Sequence, residues 1–121
     1  MTERQIQRAI IDAVHLTPQT WAVHVPNALP RARGASDAAM KAIQSALTRD
    51  GRAPGFPDLV VLWRGGCAFL EVKTVKGRTS DNQDDWADRL VSMGHNYALV
   101  RSVSDALAAL KAFGAPVRTL S

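Results

Sequence analysis

The apolar positions of the chain fall into two rhythms. Ile6, Ala9, Ile10, Ala13 and Val14 recur at i, i+3, i+4, i+7 and i+8, a stripe that predicts a helix over residues 2–15. Thr2 and Gln5 stand at capping-box spacing at its start, and Pro18 ends it. "WAVHV" (21–25) reads as a strand stopped by Pro26, and "NALPRARGAS" as a loop. Ser36 opens a weaker helix to about Arg49, with Met40, Ile43 and Leu47 on one side. After the turn-rich "DGRAPGFP", the runs "LVVLW" and "CAFLEVK" flank "RGG" and predict a β-hairpin. "TVKGRTS" is a polar, basic loop. Ser80 and Gln83 repeat the capping-box spacing and open a helix to about Met93, with Trp86, Leu90 and Met93 on its buried side and Gly94 as its C-cap. "NYALVR" is a strand, and Ser104 caps a last helix through about Phe113. The order α-β-(α)-β-β-α-β-α predicts a small α/β fold, a mixed β-sheet with flanking helices, in one domain over residues 1–121.

Composition narrows the class. An apolar content of 46% and a charged content of 21% belong to a chain that can bury a core, not to a disordered one. No apolar run reaches the roughly 18 residues of a membrane span, and the N-terminus has no signal-peptide pattern, so a cytoplasmic setting and no membrane partner are expected. The single cysteine, Cys67, leaves no internal disulfide or cysteine zinc cluster and reads as a small core residue. Trp21, Trp63 and Trp86 read as core as well, while His15, His24 and His95 carry no evident chemistry. Charge adds one positive indication. Between Arg31 and Arg78 there are nine basic residues against four acids, and two of those acids are Asp58 and Glu71. Such a stretch favours a polyanion partner or forms a solvated basic surface.

The hairpin carries the candidate chemistry. With Gly65-Gly66 as a two-residue turn, Arg64 faces Cys67, Asp58 faces Lys73 and Val60 faces Glu71. Cross-strand partners share a face and side chains alternate along a strand, so Asp58, Glu71 and Lys73 emerge together at one end. A three-residue loop would split the set. Carboxylate oxygens bind hard divalent ions such as Mg²⁺, which supply Lewis-acid chemistry for phosphodiester hydrolysis, and a lysine can orient water or balance charge in the transition state. The alternative is a structural cross-strand ion pair.

"GFPDLVVLW" followed by "CAFLEVKT" resembles the PD-(D/E)xK nuclease core, with Pro57-Asp58 and then Glu71-Val72-Lys73. The continuation "VKGRTSDNQDDWADRLVSMGHNYALVRS" resembles the VRR-NUC family of that superfamily, so that the likeness runs from Gly55 to about Asp105. The resemblance implies a small restriction-endonuclease-like domain and a Mg²⁺- or Mn²⁺-dependent DNA endonuclease of phage or bacterial type. It further implies a homodimer acting on branched DNA in the manner of a Holliday-junction resolvase. It assigns Asp58, Glu71 and the backbone carbonyl of Val72 as metal ligands, Lys73 as the catalytic lysine, and Gln83 as the family glutamine. The family also has a glutamate in its first helix, and here only Glu3 precedes the core; its alternative is favourable placement at a helix N-terminus. Gln83 either reaches the site or caps Ser80, two roles expected to exclude each other. Lys76, Arg78 and Arg101 are candidate phosphate contacts, with Arg31, Arg33 and Arg52 weaker ones. The competing functions are a nicking or restriction-like nuclease on another DNA structure and a non-catalytic DNA-binding module. For the dimer contact, the 36–49 helix and the C-terminal "ALAALKAF" helix are the two candidates.

Overall fold

In the computed structural model, residues 1–26 and 33–119 are described; residues 27–32, Arg31 among them, lie outside these. The elements follow in the expected order: α1 (Glu3–His15), β1 (Trp21–His24), α2 (Asp37–Arg49), β2 (Leu59–Trp63), β3 (Gly66–Val72), α3 (Asp81–Ser92), β4 (Asn96–Val100) and α4 (Val103–Ala112). The four strands form one sheet in the order β1-β2-β3-β4. β1 and β3 run antiparallel to β2, and β4 runs parallel to β3. A parallel neighbour needs a crossover, and α3 supplies it.

Alternation sorts the strand residues to the two faces. Leu59, Val61, Ala68, Leu70, Val72 and Val100 point one way and pack with Ile6, Ile10 and Val14 of α1 and Ala106, Leu107 and Leu110 of α4. Ala115 and Val117 of the C-terminal tail close this core. On the opposite face Phe69 meets Phe56 edge-on at 5.6 Å, and Phe56 meets Trp86 of α3 at 5.1 Å. Glu71 and Lys73 belong to this second face by the same alternation.

The hairpin register differs from the expected one. Trp63 pairs with Gly66 and Leu59 with Leu70, so the turn is Arg64-Gly65 and Val60 faces Phe69. The two glycines serve different needs. Gly65 adopts a positive φ of 86°, whereas a Cβ on Gly66 would lie 2.8 Å from the Trp63 indole. The ring occupies the place where Gly66 has no side chain, and this moves the turn back by one residue. The pairing slips by two positions, an even number, so every side chain keeps its face. Asp58, Glu71 and Lys73 remain together, with Asp58 one step before β2 and next to Glu71, not Lys73.

Other differences have local causes. Trp21 is 59% exposed, because α3 covers β4 and leaves the β1 edge of that face open. Its indole stacks on His15 at 4.1 Å, and His15 Nε2 accepts the Ala22 N–H. Met93 is 60% exposed since it is the C-cap of α3, past Leu90, where the buried stripe ends. The cap of α4 is Ser102, whose hydroxyl accepts the Asp105 N–H, and not Ser104. β1 ends at His24, although the Val25 N–H still donates to the Asp58 carbonyl at 2.8 Å. α2 forms with Ser36 as its cap but buries no side chain fully; Met40, Ile43 and Leu47 are half-buried.

Candidate active site

The site forms where β2 begins and β3 ends. Asp58 is held from two sides: its Oδ2 accepts the Val72 N–H at 2.9 Å and its carbonyl accepts the Val25 N–H. Lys73 lies just beyond β3, and its N–H donates to the Val100 carbonyl at 3.0 Å, which keeps its backbone in line with β4. Glu71 sits between them and is only 2% exposed. Its Oε1 lies 3.9 Å from Lys73 Nζ and accepts from Gln83 Nε2 at 2.8 Å. Its Oε2 is buried with no hydrogen-bond partner.

A buried carboxylate with an unpartnered oxygen is costly in its charged form. Burial, first, and then the neighbouring Asp58 carboxylate push the Glu71 carboxyl up to about 8 from its ordinary 4.5, while the Lys73 ammonium acts in the opposite direction. Tyr97, placed across from Phe69 on β4, is pushed up to about 12, chiefly by burial and then by Glu71. Its closeness to the site was not apparent in the sequence. The parallel pairing of "NYALV" with β3 is what sets Tyr97 on the face that carries Glu71.

Gln83 does two things at once. Its Oε1 accepts the Ser80 N–H at 2.9 Å, which completes the capping box of α3, and its Nε2 faces Glu71. The two roles expected to compete use opposite ends of one amide. The approach of α3 that permits this depends on Gly55: its φ is +84°, and a Cβ there would lie 2.4 Å from the Asn82 backbone. A cleft of about 360 Å³ opens beside Asp58 and Gln83, lined also by His24, Pro26, Gly55, Phe56, Ser80 and Asn82. His24 is exposed, with Nδ1 3.2 Å from the Asp58 carbonyl.

Glu3 reaches the site from α1. Its Oε1 is 3.4 Å from Lys73 Nζ, so it meets the lysine and not the two carboxylates. Among the described residues no three His, Cys, Asp or Glu side chains converge as a metal cluster. A Mg²⁺ ion does not require three, because it keeps several waters and binds through one or two carboxylates plus phosphate. The unpartnered Glu71 Oε2 beside Asp58 fits that donor set. Lys76 and Arg78 are exposed on the loop after Lys73, and Arg33 is exposed far along the chain from them. Arg101 is turned toward the backbone of the 74–77 loop, to whose carbonyls it donates.

A model of the VRR-NUC domain matches residues 1–104. The chain belongs to the VRR-NUC family. A solved structure described as a VRR_NUC domain protein aligns with a TM-score of 0.70 over 94% of this chain and 88% of its own, at 13% identity, and so shares its fold. No curated protein matches the chain. VRR-NUC is a nuclease-type domain family, which supports a nuclease-like role with DNA as partner. No helix among the described residues is long and apolar enough to cross a membrane.

Proposed function

We propose that the chain is a divalent-metal-dependent DNA endonuclease that cuts branched DNA as a homodimer. The observation that carries this reading is the buried, unpartnered Oε2 of Glu71 next to Asp58, with the Lys73 ammonium alongside. Asp58, Glu71 and the carbonyl of Val72 would hold Mg²⁺ or Mn²⁺. The bound ion would polarise the scissile phosphate and offset charge that develops there. Gln83 fixes the Glu71 carboxylate in place through one hydrogen bond. Lys73, tethered at its backbone to β4 and at its ammonium to Glu3, orients the attacking water and stabilises negative charge on the phosphoryl oxygens. Glu3 sets the position of that ammonium and stands close enough to the site to join the ligand set through water. Lys76 and Arg78 hold the phosphate backbone by charge.

Each chain carries the trio once, and a junction has two strands to cut, so a two-fold dimer supplies two matched sites. The two candidate contact helices differ in the fold. α4 spends its apolar face on the core, whereas α2 retains a half-buried stripe of Met40, Ile43 and Leu47. This favours α2 as the contact. The test is incubation with supercoiled plasmid, linear duplex and a four-way junction, each with Mg²⁺, with Mn²⁺ and with chelator. Paired cuts in the junction that require the ion are expected. Sedimentation at micromolar concentration should give twice the chain mass. Cleavage in chelator would refute the metal reading, and single nicks by a monomer would point to another DNA structure.

A further inference from the structure

The loop that follows Lys73 is held from within. The Gly77 N–H donates to the Thr74 carbonyl at 3.1 Å, closing a four-residue turn. A Cβ on Gly77 would lie 3.0 Å from Thr74 Oγ1, so the turn is tight. Three of its carbonyls, those of Thr74, Val75 and Gly77, converge on one nitrogen, Arg101 Nη1, at 2.5, 3.2 and 2.8 Å. Three carbonyl dipoles aimed at one point repel each other unless a cation sits there. Arg101 is itself anchored, since its N–H donates to Asp105 Oδ2 at 3.0 Å. The carbonyls point inward, while Val75, Lys76 and Arg78 are exposed. No carboxylate among the described residues pairs with the side chains of Lys76, Arg78 or Arg101.

We infer that Arg101 is a positioning residue for DNA: its guanidinium fixes the 74–77 turn in the shape that presents Lys76 and Arg78 to a phosphate backbone beside Lys73. This rests on the DNA-nuclease reading above. Ordering a free loop costs conformational entropy, and a turn held before binding does not incur that cost when DNA arrives. Arg101 is the residue after Val100, whose carbonyl anchors Lys73, so one strand end sets both the catalytic lysine and the phosphate-facing loop. A lysine at this position would carry the charge but not the planar fork.

The experiment has one arm without DNA and one with it, on the full chain. In the first, trypsin cleavage after Lys76 and Arg78 is timed for the wild type, Arg101→Gln and Arg101→Lys, with melting curves to confirm folding. Arg101→Gln should be cut about tenfold faster, as expected if a local opening becomes about 1.4 kcal/mol easier. Arg101→Lys should fall between the two. In the second, equilibrium binding to a DNA duplex in chelator is measured for Arg101→Gln, for Lys76→Ala/Arg78→Ala and for the triple variant. Arg101→Gln alone should weaken binding about tenfold but add less than about twofold to the Lys76→Ala/Arg78→Ala loss, because a positioning residue has nothing left to position. Additive losses would overturn the proposal, since Arg101 would then touch phosphate on its own account. Unchanged cleavage in both Arg101 variants would overturn the clamp. Faster cleavage with no DNA affinity in the wild-type chain would refute the DNA reading and the positioning role with it, while the clamp would stand.

Discussion

Leu70 and Glu71 are neighbours on β3 and are buried to nearly the same degree, yet they face opposite sides of one sheet. Leu70 looks toward α1 and α4, into a core where apolar side chains meet apolar side chains. Glu71 looks toward α3, where one oxygen accepts from Gln83 and the other has no hydrogen-bond donor and the Asp58 carboxylate for a neighbour. The first environment stabilises the fold; the second is stable only with the carboxyl protonated or with a cation supplied. A protein that needed only the fold would gain by filling the second position with an apolar residue. The contrast is what the proposed metal-binding role of Glu71 rests on.

The strongest way to break the comparison is Glu71→Gln. It should lower DNA cleavage by about three orders of magnitude or more, as loss of a group that stabilises transition-state charge does. The metal-free protein should melt no lower than the wild type at neutral pH, because a neutral side chain now fills a site hostile to charge. Gel assays and calorimetry read both. Cleavage that survives would remove Glu71 from the site, and a collapse of stability would make it structural.

Leu70→Ala is the matching change on the other face. It should cost about 2–5 kcal/mol of stability by loss of transfer energy and creation of a cavity. Below its melting temperature it should cut DNA at close to the wild-type rate. A loss of activity without a loss of stability would show that the two faces are not separable.

The pH dependence sharpens the same point. The folded chain holds the Glu71 proton up to about 8, whereas an unfolded carboxyl releases it near 4.5. Between these values the folded state binds more protons, so the stability of the metal-free protein should fall as pH rises through that window and level off above it. On the proposed metal reading Mg²⁺ or Mn²⁺ would compete with that proton, and its stabilising effect should be larger at the upper end of the window than at the lower. Thermal melts with ion and with chelator test this; an ion effect independent of pH would argue against Glu71 as a ligand.

The smallest expected effects concern the approach to the site. Gly55→Ala forces a Cβ into the Asn82 backbone and should push the start of α3 away, which lengthens the Gln83–Glu71 contact. A loss of about 1–3 kcal/mol is expected from strain at a positive φ, with a further drop in turnover. Lys76→Ala and Arg78→Ala should each flatten the log–log salt dependence of duplex binding by about 0.9.

What could be read from the sequence was local. The helix starts at Thr2, Ser36 and Ser80 follow from short capping signals, and the grouping of Asp58, Glu71 and Lys73 follows from strand alternation. The grouping survived an error in the turn because an even slip preserves faces. The position of the Trp63 ring over Gly66 decided that register, and no spacing rule encodes it. Trp21 was misplaced for a related reason: which part of a sheet a helix covers depends on contacts between distant segments. Gln83 was read as a choice between two roles because a residue symbol does not show that one amide has two usable ends. Arg101 was read from its charge as a phosphate contact, and nothing in the sequence showed that its guanidinium meets the backbone carbonyls of the 74–77 loop.

The double engagement of Gln83 also bears on how the protein opens and closes. The bond that caps α3 and the bond that holds Glu71 belong to the same side chain, so the first turn of α3 cannot fray without releasing the carboxylate. Local unfolding there lets water reach Glu71, and Glu71 can then give up its proton at an ordinary pH. Backbone amide exchange at the start of α3 will therefore speed up with alkalinity beyond the intrinsic chemical rate, and an ion bound by Glu71 will slow it. If assembly of the site and completion of that helix are one cooperative step, as the shared Gln83 side chain predicts, the amides of residues 83 and 84 will report it.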